Sequence, residues 1–205
     1  MRVLTLVISS FPRSGSHYIE HILKGSMDIN IMRAHPLFNS FSSNPSDDNK
    51  IRKLKDSGQP IITIIRDPKE SIPSIISLTE YMGLNQSKNY MPLYKPFSDE
   101  EINTLVLENE FNFINGLEFI QKQADIIIRF ESLISNPESI INLISQKYNI
   151  PIISYQTSKK TWSDDPEAQS STGHSRYQHI KSITNQIDLS KCYNVYRKIY
   201  ENATI

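Results

Sequence analysis

The stretch Val3-Leu4-Thr5-Leu6-Val7-Ile8-Ser9-Ser10-Phe11-Pro12-Arg13-Ser14-Gly15-Ser16-His17 decides the fold. Residues 3–9 form a short, β-rich apolar run, the mark of a buried strand. Pro12 and Gly15 break that run into a turn, and Ile19, Ile22 and Leu23 recur beyond it at helical spacing. Strand, glycine turn and helix in this order form a candidate phosphate-binding loop. Backbone N–H groups at a helix start aim at one spot, where the helix dipole favours negative charge. Gly15 lets the backbone come close to a ligand, and the Arg13 guanidinium can add a two-pronged contact to an oxyanion.

Outward from this unit, strands and helices alternate. Residues 29–32 predict a second strand, ending near Arg33-Ala34-His35-Pro36. Residues 38–48 are rich in Ser, Asn and Pro and read as loop. A short basic helix is expected over 51–56, stopped by Gly58 and Pro60. Residues 60–65 are continuously apolar and β-branched, the clearest buried strand, and they end at Arg66-Asp67-Pro68. Asp67 as N-cap and Pro68 at the first helical position open the next helix, which Pro73 is expected to kink. Residues 81–97 are polar and aromatic with no clear period. Ser98-Asp99-Glu100-Glu101 is a capping box before an amphipathic helix whose stripe is Ile102, Leu105, Val106, Phe113, Leu117 and Ile120. Residues 125–130 predict another buried strand. Asn136-Pro137 opens a helix carrying Ile140, Ile141 and Ile144, residues 154–171 are polar and expected to be mobile, and 187–200 predict a final helix. The expected fold is α/β, a three-layer α/β/α sandwich on a mainly parallel central sheet. In such sheets ligands sit beyond the carboxyl ends of the strands, where the Arg13 turn, His35 and Arg66 all fall.

The chain has 205 residues, which favours a single domain over 1–205 with a core large enough to need no disulfide or metal. Its formal net charge is zero. No bulk field draws nucleic acid or an anionic membrane, and any anion site must be local. The lone cysteine, Cys192, excludes an internal disulfide and a multi-cysteine zinc site and reads as a small apolar residue on the last helix. The apolar run at the start is too short to span a membrane and lacks a cleavage site. A cytoplasmic location is therefore expected, where the sequons at Asn85 and Asn202 carry little meaning.

A P-loop kinase is the first rival for the loop. Its pattern G-x-x-x-x-G-K-[ST] puts a lysine on the terminal phosphates and a hydroxyl on Mg²⁺. With Gly15 as the second glycine, those positions hold Ser16 and His17, and the first glycine position holds Ser10. A ligand with fewer contiguous phosphates and no metal fits better.

Three segments resemble one family. Phe11-Pro12-Arg13-Ser14-Gly15-Ser16 resembles the 5′-phosphosulfate loop, commonly P-[KR]-[ST]-G-[ST], of sulfotransferases that use 3′-phosphoadenosine 5′-phosphosulfate (PAPS). Residues 62–74, I-T-I-I-R-D-P-K-E-S-I-P-S, look like their 3′-phosphate motif, a strand, an arginine, [DN]-P and a serine eight residues after the arginine; Arg66 and Ser74 keep this spacing. Residues 125–137, D-I-I-I-R-F-E-S-L-I-S-N-P, are similar to the family's later strand and its Y-E-D-L segment, with Phe130 in place of tyrosine. The patches fall within residues 3–145. They imply a P-loop NTPase-like sulfotransferase fold, PAPS as cofactor (with the 3′,5′-bisphosphate PAP as product) and no metal.

The resemblance implies roles for single residues. Arg13, Ser14, Gly15, Ser16 and His17 would hold the 5′ end, and Arg66 with Ser74 the 3′-phosphate. Sulfonyl transfer needs in-line placement, charge neutralisation and a proton acceptor. Arg33-Ala34-His35 resembles the segment carrying the family's histidine, which makes His35 the expected general base. Arg33 and Arg13 would stabilise charge developing on the leaving oxygen or the sulfonate. Glu20 is the alternative base. Arg176, beside Gly173, is the expected cover of the 3′-phosphate within a mobile loop over 154–179, and Lys159 with Lys160 the alternative. Residues 81–123 are expected to form the acceptor side, where Tyr81, Met82, Tyr90, Met91, Tyr94 and Phe97 would line a pocket for a small-molecule or glycan acceptor. A nucleotide-binding protein that lost catalysis stays open as a reading. Every version requires the guanidinium groups of Arg13 and Arg66 to lie side by side.

Overall fold

A computed structural model describes residues 4–11, 13–35, 47–90, 96–157 and 174–205, with backbone alone at 81–90, 174 and 175. The strands are β1 (Thr5–Ser9), β2 (Asn30–Ala34), β3 (Ile61–Ile65) and β4 (Ile126–Arg129). The helices are α1 (Ser16–Ser26), α2 (Asp48–Asp56), α3 (Pro68–Tyr90), α4 (Asp99–Gln123), α5 (Phe130–Ser135), α6 (Pro137–Tyr148), α7 (His174–Gln186) and α8 (Ser190–Glu201).

The four strands form one parallel sheet in the order β2-β1-β3-β4. Side chains alternate across a strand, and both faces are buried. Val7, Ile61 and Ile65 pack with α2, α3, α4, α7 and α8, while Leu6, Ile8, Ile62, Ile64, Ile126 and Ile128 pack with α1, α5 and α6. The protein is thus an α/β sandwich of three layers, and the continuous apolar runs of β1 and β3 reflect burial on both sides.

The order also fixes where a ligand can enter. The chain leaves β1 through α1 on one face to reach β2, then returns across to β3 and leaves through α3 on the other face. The two helices part at the carboxyl ends of β1 and β3, the switch point of an open α/β sheet.

Several boundaries differ from expectation. α3 runs on through Pro73 to Tyr90, because the ring so near the helix start removes a single internal bond; residues 81–90 are therefore helix. α5 was not expected, nor was α7. Residues 174–186 are mostly polar, and their signal is the thin row Tyr177, Ile180 and Thr184, the last two buried. Residues 174–179 of the segment expected as a loop over 154–179 are thus helical. Residues 153–157 are tied to α1, with Ser154 Oγ donating to the Gly25 carbonyl at 2.8 Å and Tyr18 to that of Thr157 at 3.2 Å. Arg176 lies in the first turn of α7. Lys159, Lys160, Gly173, Met91, Tyr94, most of the 38–48 loop and the side chains of Tyr81, Met82 and Tyr90 lie outside what is described. Among the described residues no helix is long and apolar enough to cross a membrane.

Candidate anion site at the switch point

The loop between β1 and α1 is held from both faces. Phe11 packs edge-on against Phe113 of α4, ring centroids 4.7 Å apart. Gly15 sits at φ 97°, and a Cβ there would lie 3.0 Å from the Phe130 ring and 3.3 Å from Leu133. Only glycine meets both demands. Arg13 also takes positive φ, 66°. Positive φ at 13 and 15, separated by Ser14, is the backbone alternation that turns successive N–H groups toward an anion. α1 then starts with no side-chain cap and no acid in its first turn, unlike α4, where Ser98 and Glu101 complete a capping box beside Asp99 and Glu100. The Ser14 hydroxyl is buried and has no partner among the described residues. A buried hydroxyl in that state is costly unless a ligand or water completes it.

The two arginine-bearing bends meet. The Arg66 guanidinium donates to the Arg13 carbonyl at 3.0 Å, and Arg13 Nε donates to Ser74 Oγ at 3.1 Å. Arg66 also lies over the Phe130 ring, 4.3 Å from its centroid, so one ring supports the loop and the arginine together. Arg13, Arg66 and Ser74 form one cluster. Arg13 therefore touches both the Arg66 bend and Ser74 of α3. Burial and the neighbouring Arg66 charge push the Arg13 pKa down. Among the described residues neither guanidinium has a carboxylate within ion-pair distance.

The acids nearest Arg66 in sequence are engaged elsewhere. Asp67 accepts from the Lys69 N–H at 2.8 Å, as its capping role predicts, and from Tyr193 of α8. Glu70 accepts from Tyr177 at 3.2 Å and pairs with Lys181, both on α7. Tyr177 was missed from sequence; its hydroxyl joins α7 to the start of α3 through Glu70.

A second group lies on the β2 side. Arg33, opposite Ile8 in the sheet register, bonds His17 Nε2 and pairs with Glu20 at 2.8 Å. A guanidinium only donates, so His17 Nε2 is the acceptor and its proton sits on Nδ1. Glu20 pairs as well with Lys24 at 2.6 Å, so each of its oxygens faces a cation. His35 Nδ1 lies 2.8 Å from the Ser10 carbonyl, and its backbone N–H donates to Asp47 at 3.1 Å. A carbonyl only accepts; Nδ1 therefore carries the proton and Nε2 keeps its lone pair. Burial holds the imidazole pKa below its ordinary value and the ring neutral near pH 7. His35 is thereby tethered to the root of the loop.

Arg176 is used differently from the expectation that it covers a phosphate. Its Nε and terminal nitrogen donate to Glu80 at 2.9 and 2.6 Å, and the terminal nitrogen also reaches the Phe97 carbonyl at 2.6 Å. The Glu80 side chain is 1% exposed, and a carboxylate so buried needs a cation. Ser16, buried at the first position of α1, keeps its place in the loop. The arrangement is that of an α/β protein with two adjacent guanidinium groups at its switch point. Comparison with known proteins finds no family model that matches the chain and no curated relative.

Proposed function

We propose that the chain is a sulfotransferase that moves a sulfonate group from PAPS to a hydroxyl or amine acceptor. The observation that carries this reading is the meeting of Arg13, Arg66 and Ser74 at the carboxyl ends of β1 and β3, with no carboxylate on either guanidinium among the described residues. Two adjacent cations left without an anion of the protein's own favour an anionic ligand. The open start of α1 and the orphaned Ser14 hydroxyl add donors at the same place. The donor's anions at two ends of an adenosine suit this set. The loop lacks the lysine and hydroxyl that a kinase needs for a terminal phosphate and its metal.

When bound, PAPS supplies the sulfonate and a bisphosphate leaving group. Arg66 and Ser74 would hold the 3′-phosphate, and Arg13 with the N–H groups of residues 14–17 the 5′ end. Neutral His35, with Nε2 unprotonated, would accept the proton that the acceptor gives up. Arg33, held by His17 and Glu20, keeps positive charge beside that step.

The test is calorimetric titration with PAP in metal-free buffer, followed by transfer of labelled sulfonate from PAPS to a panel of hydroxyl and amine acceptors. Arg13→Ala and Arg66→Ala should each weaken PAP binding by about tenfold or more, the scale of a charge-assisted hydrogen bond. His35→Ala should keep binding and lose transfer. Tight PAP binding with no transfer to any acceptor by the wild-type chain would instead favour a non-catalytic nucleotide-binding protein, and normal turnover in the His35 variant would move the base elsewhere.

A further inference from the structure

The two acids that follow Arg66 in the sequence, Asp67 and Glu70, are bonded to other groups. Glu70 lies four residues after Arg66 on the first turn of α3, and a glutamate there has the reach to fold back on the guanidinium. Instead its carboxylate is held by two groups of α7, the Tyr177 hydroxyl at one oxygen and the Lys181 ammonium at the other. Tyr177 therefore ties Glu70 to α7 beside the helix start that follows Arg66. Tyr177 and Lys181 are four apart and share one side of α7.

We propose that Tyr177, with Lys181, is a positioning residue of the anion site: it holds Glu70 away from Arg13 and Arg66, so that the pair keeps its charge for a ligand. This rests on the reading of the pair as an anion site. The physical argument is competition. A carboxylate tethered to the same helix start is an internal anion, and every fraction of time it spends on Arg66 lowers the apparent affinity for an external one by that fraction. Two donors fixed on α7 outbid a single guanidinium for the carboxylate. A purely structural tie between α3 and α7 would give the same contacts but no dependence of ligand affinity on the charge of Glu70.

The experiment compares wild type, Tyr177→Phe, Lys181→Met and each of these combined with Glu70→Gln. It titrates PAP and, separately, inorganic pyrophosphate by calorimetry. Tyr177→Phe and Lys181→Met are expected to weaken both anions by about twofold to fivefold, the range set by a competing, partly exposed ion pair. Glu70→Gln in either background is expected to restore wild-type affinity. Unchanged affinity in both single variants, or a loss that Glu70→Gln does not rescue, overturns the proposal. Binding of pyrophosphate without PAP would overturn the nucleotide reading and leave the positioning test intact in the pyrophosphate arm. Binding of neither anion to the wild-type chain overturns both.

Discussion

Gly15 shows how much one residue carries. Its backbone is in the left-handed region at φ 97°, and the space a Cβ would take is filled by the Phe130 ring at 3.0 Å. Gly15→Ala therefore pays twice, in backbone strain and in displacement of the ring that also supports Arg66. We expect a loss of about 1–3 kcal/mol, read from the shift of a urea unfolding midpoint, together with weaker PAP binding. An unchanged midpoint would show that the loop adjusts freely. The glycine was legible in the sequence as a turn; its partner Phe130 was legible only as a departure from a motif. A lone aromatic after a strand says nothing about which loop it touches, because that contact joins residues more than a hundred positions apart.

At the scale of elements, Glu80 and Arg176 join α3 to α7, and through the Phe97 carbonyl to the start of α4. The Glu80 side chain is 1% exposed and that of Arg176 22%, which makes the pair asymmetric. Removing Arg176 strands a carboxylate in the interior, whereas removing Glu80 leaves a guanidinium with some access to water. Arg176→Met is expected to cost about 3 kcal/mol, and Glu80→Met less, in urea unfolding at neutral pH. The reverse order would mean that the carboxylate finds another donor. In sequence Arg176 near Gly173 resembles a phosphate contact, because the acid that pairs with it, Glu80, lies on another helix.

For the whole molecule, His35 links the sheet to the pH dependence of stability. Its folded pKa lies below the ordinary 6.5 because burial disfavours the charged ring. Above about 6.5 both states hold it neutral and the contribution is fully present. As pH falls below that value the unfolded chain takes up the proton first, so stability declines toward the folded pKa. The wild-type urea midpoint should therefore drop between about pH 7.5 and about pH 5.5. His35→Gln, which keeps an amide donor for the Ser10 carbonyl but does not titrate, should show a smaller drop. Equal slopes would exclude His35 as the source.

Local pattern was enough for the parallel α/β architecture, because β1 and β3 are apolar on every residue but one or two and a strand buried on both faces leaves that mark directly. It was enough also for the capping box at Ser98 and the Asn136-Pro137 start of α6, since such caps are settled within four residues. The spacing of Arg66 and Ser74, and Gly15 at the turn, marked out residues that meet at the carboxyl ends of β1 and β3. Only the folded chain decided that Arg13 turns to Ser74, that Arg176 is spent on Glu80, and that Asp67 and Glu70 are drawn off Arg66 by α8 and α7. Charges pair with whatever the packing brings near, and electrostatic partners are chosen by distance in space, which helices dozens of residues away determine.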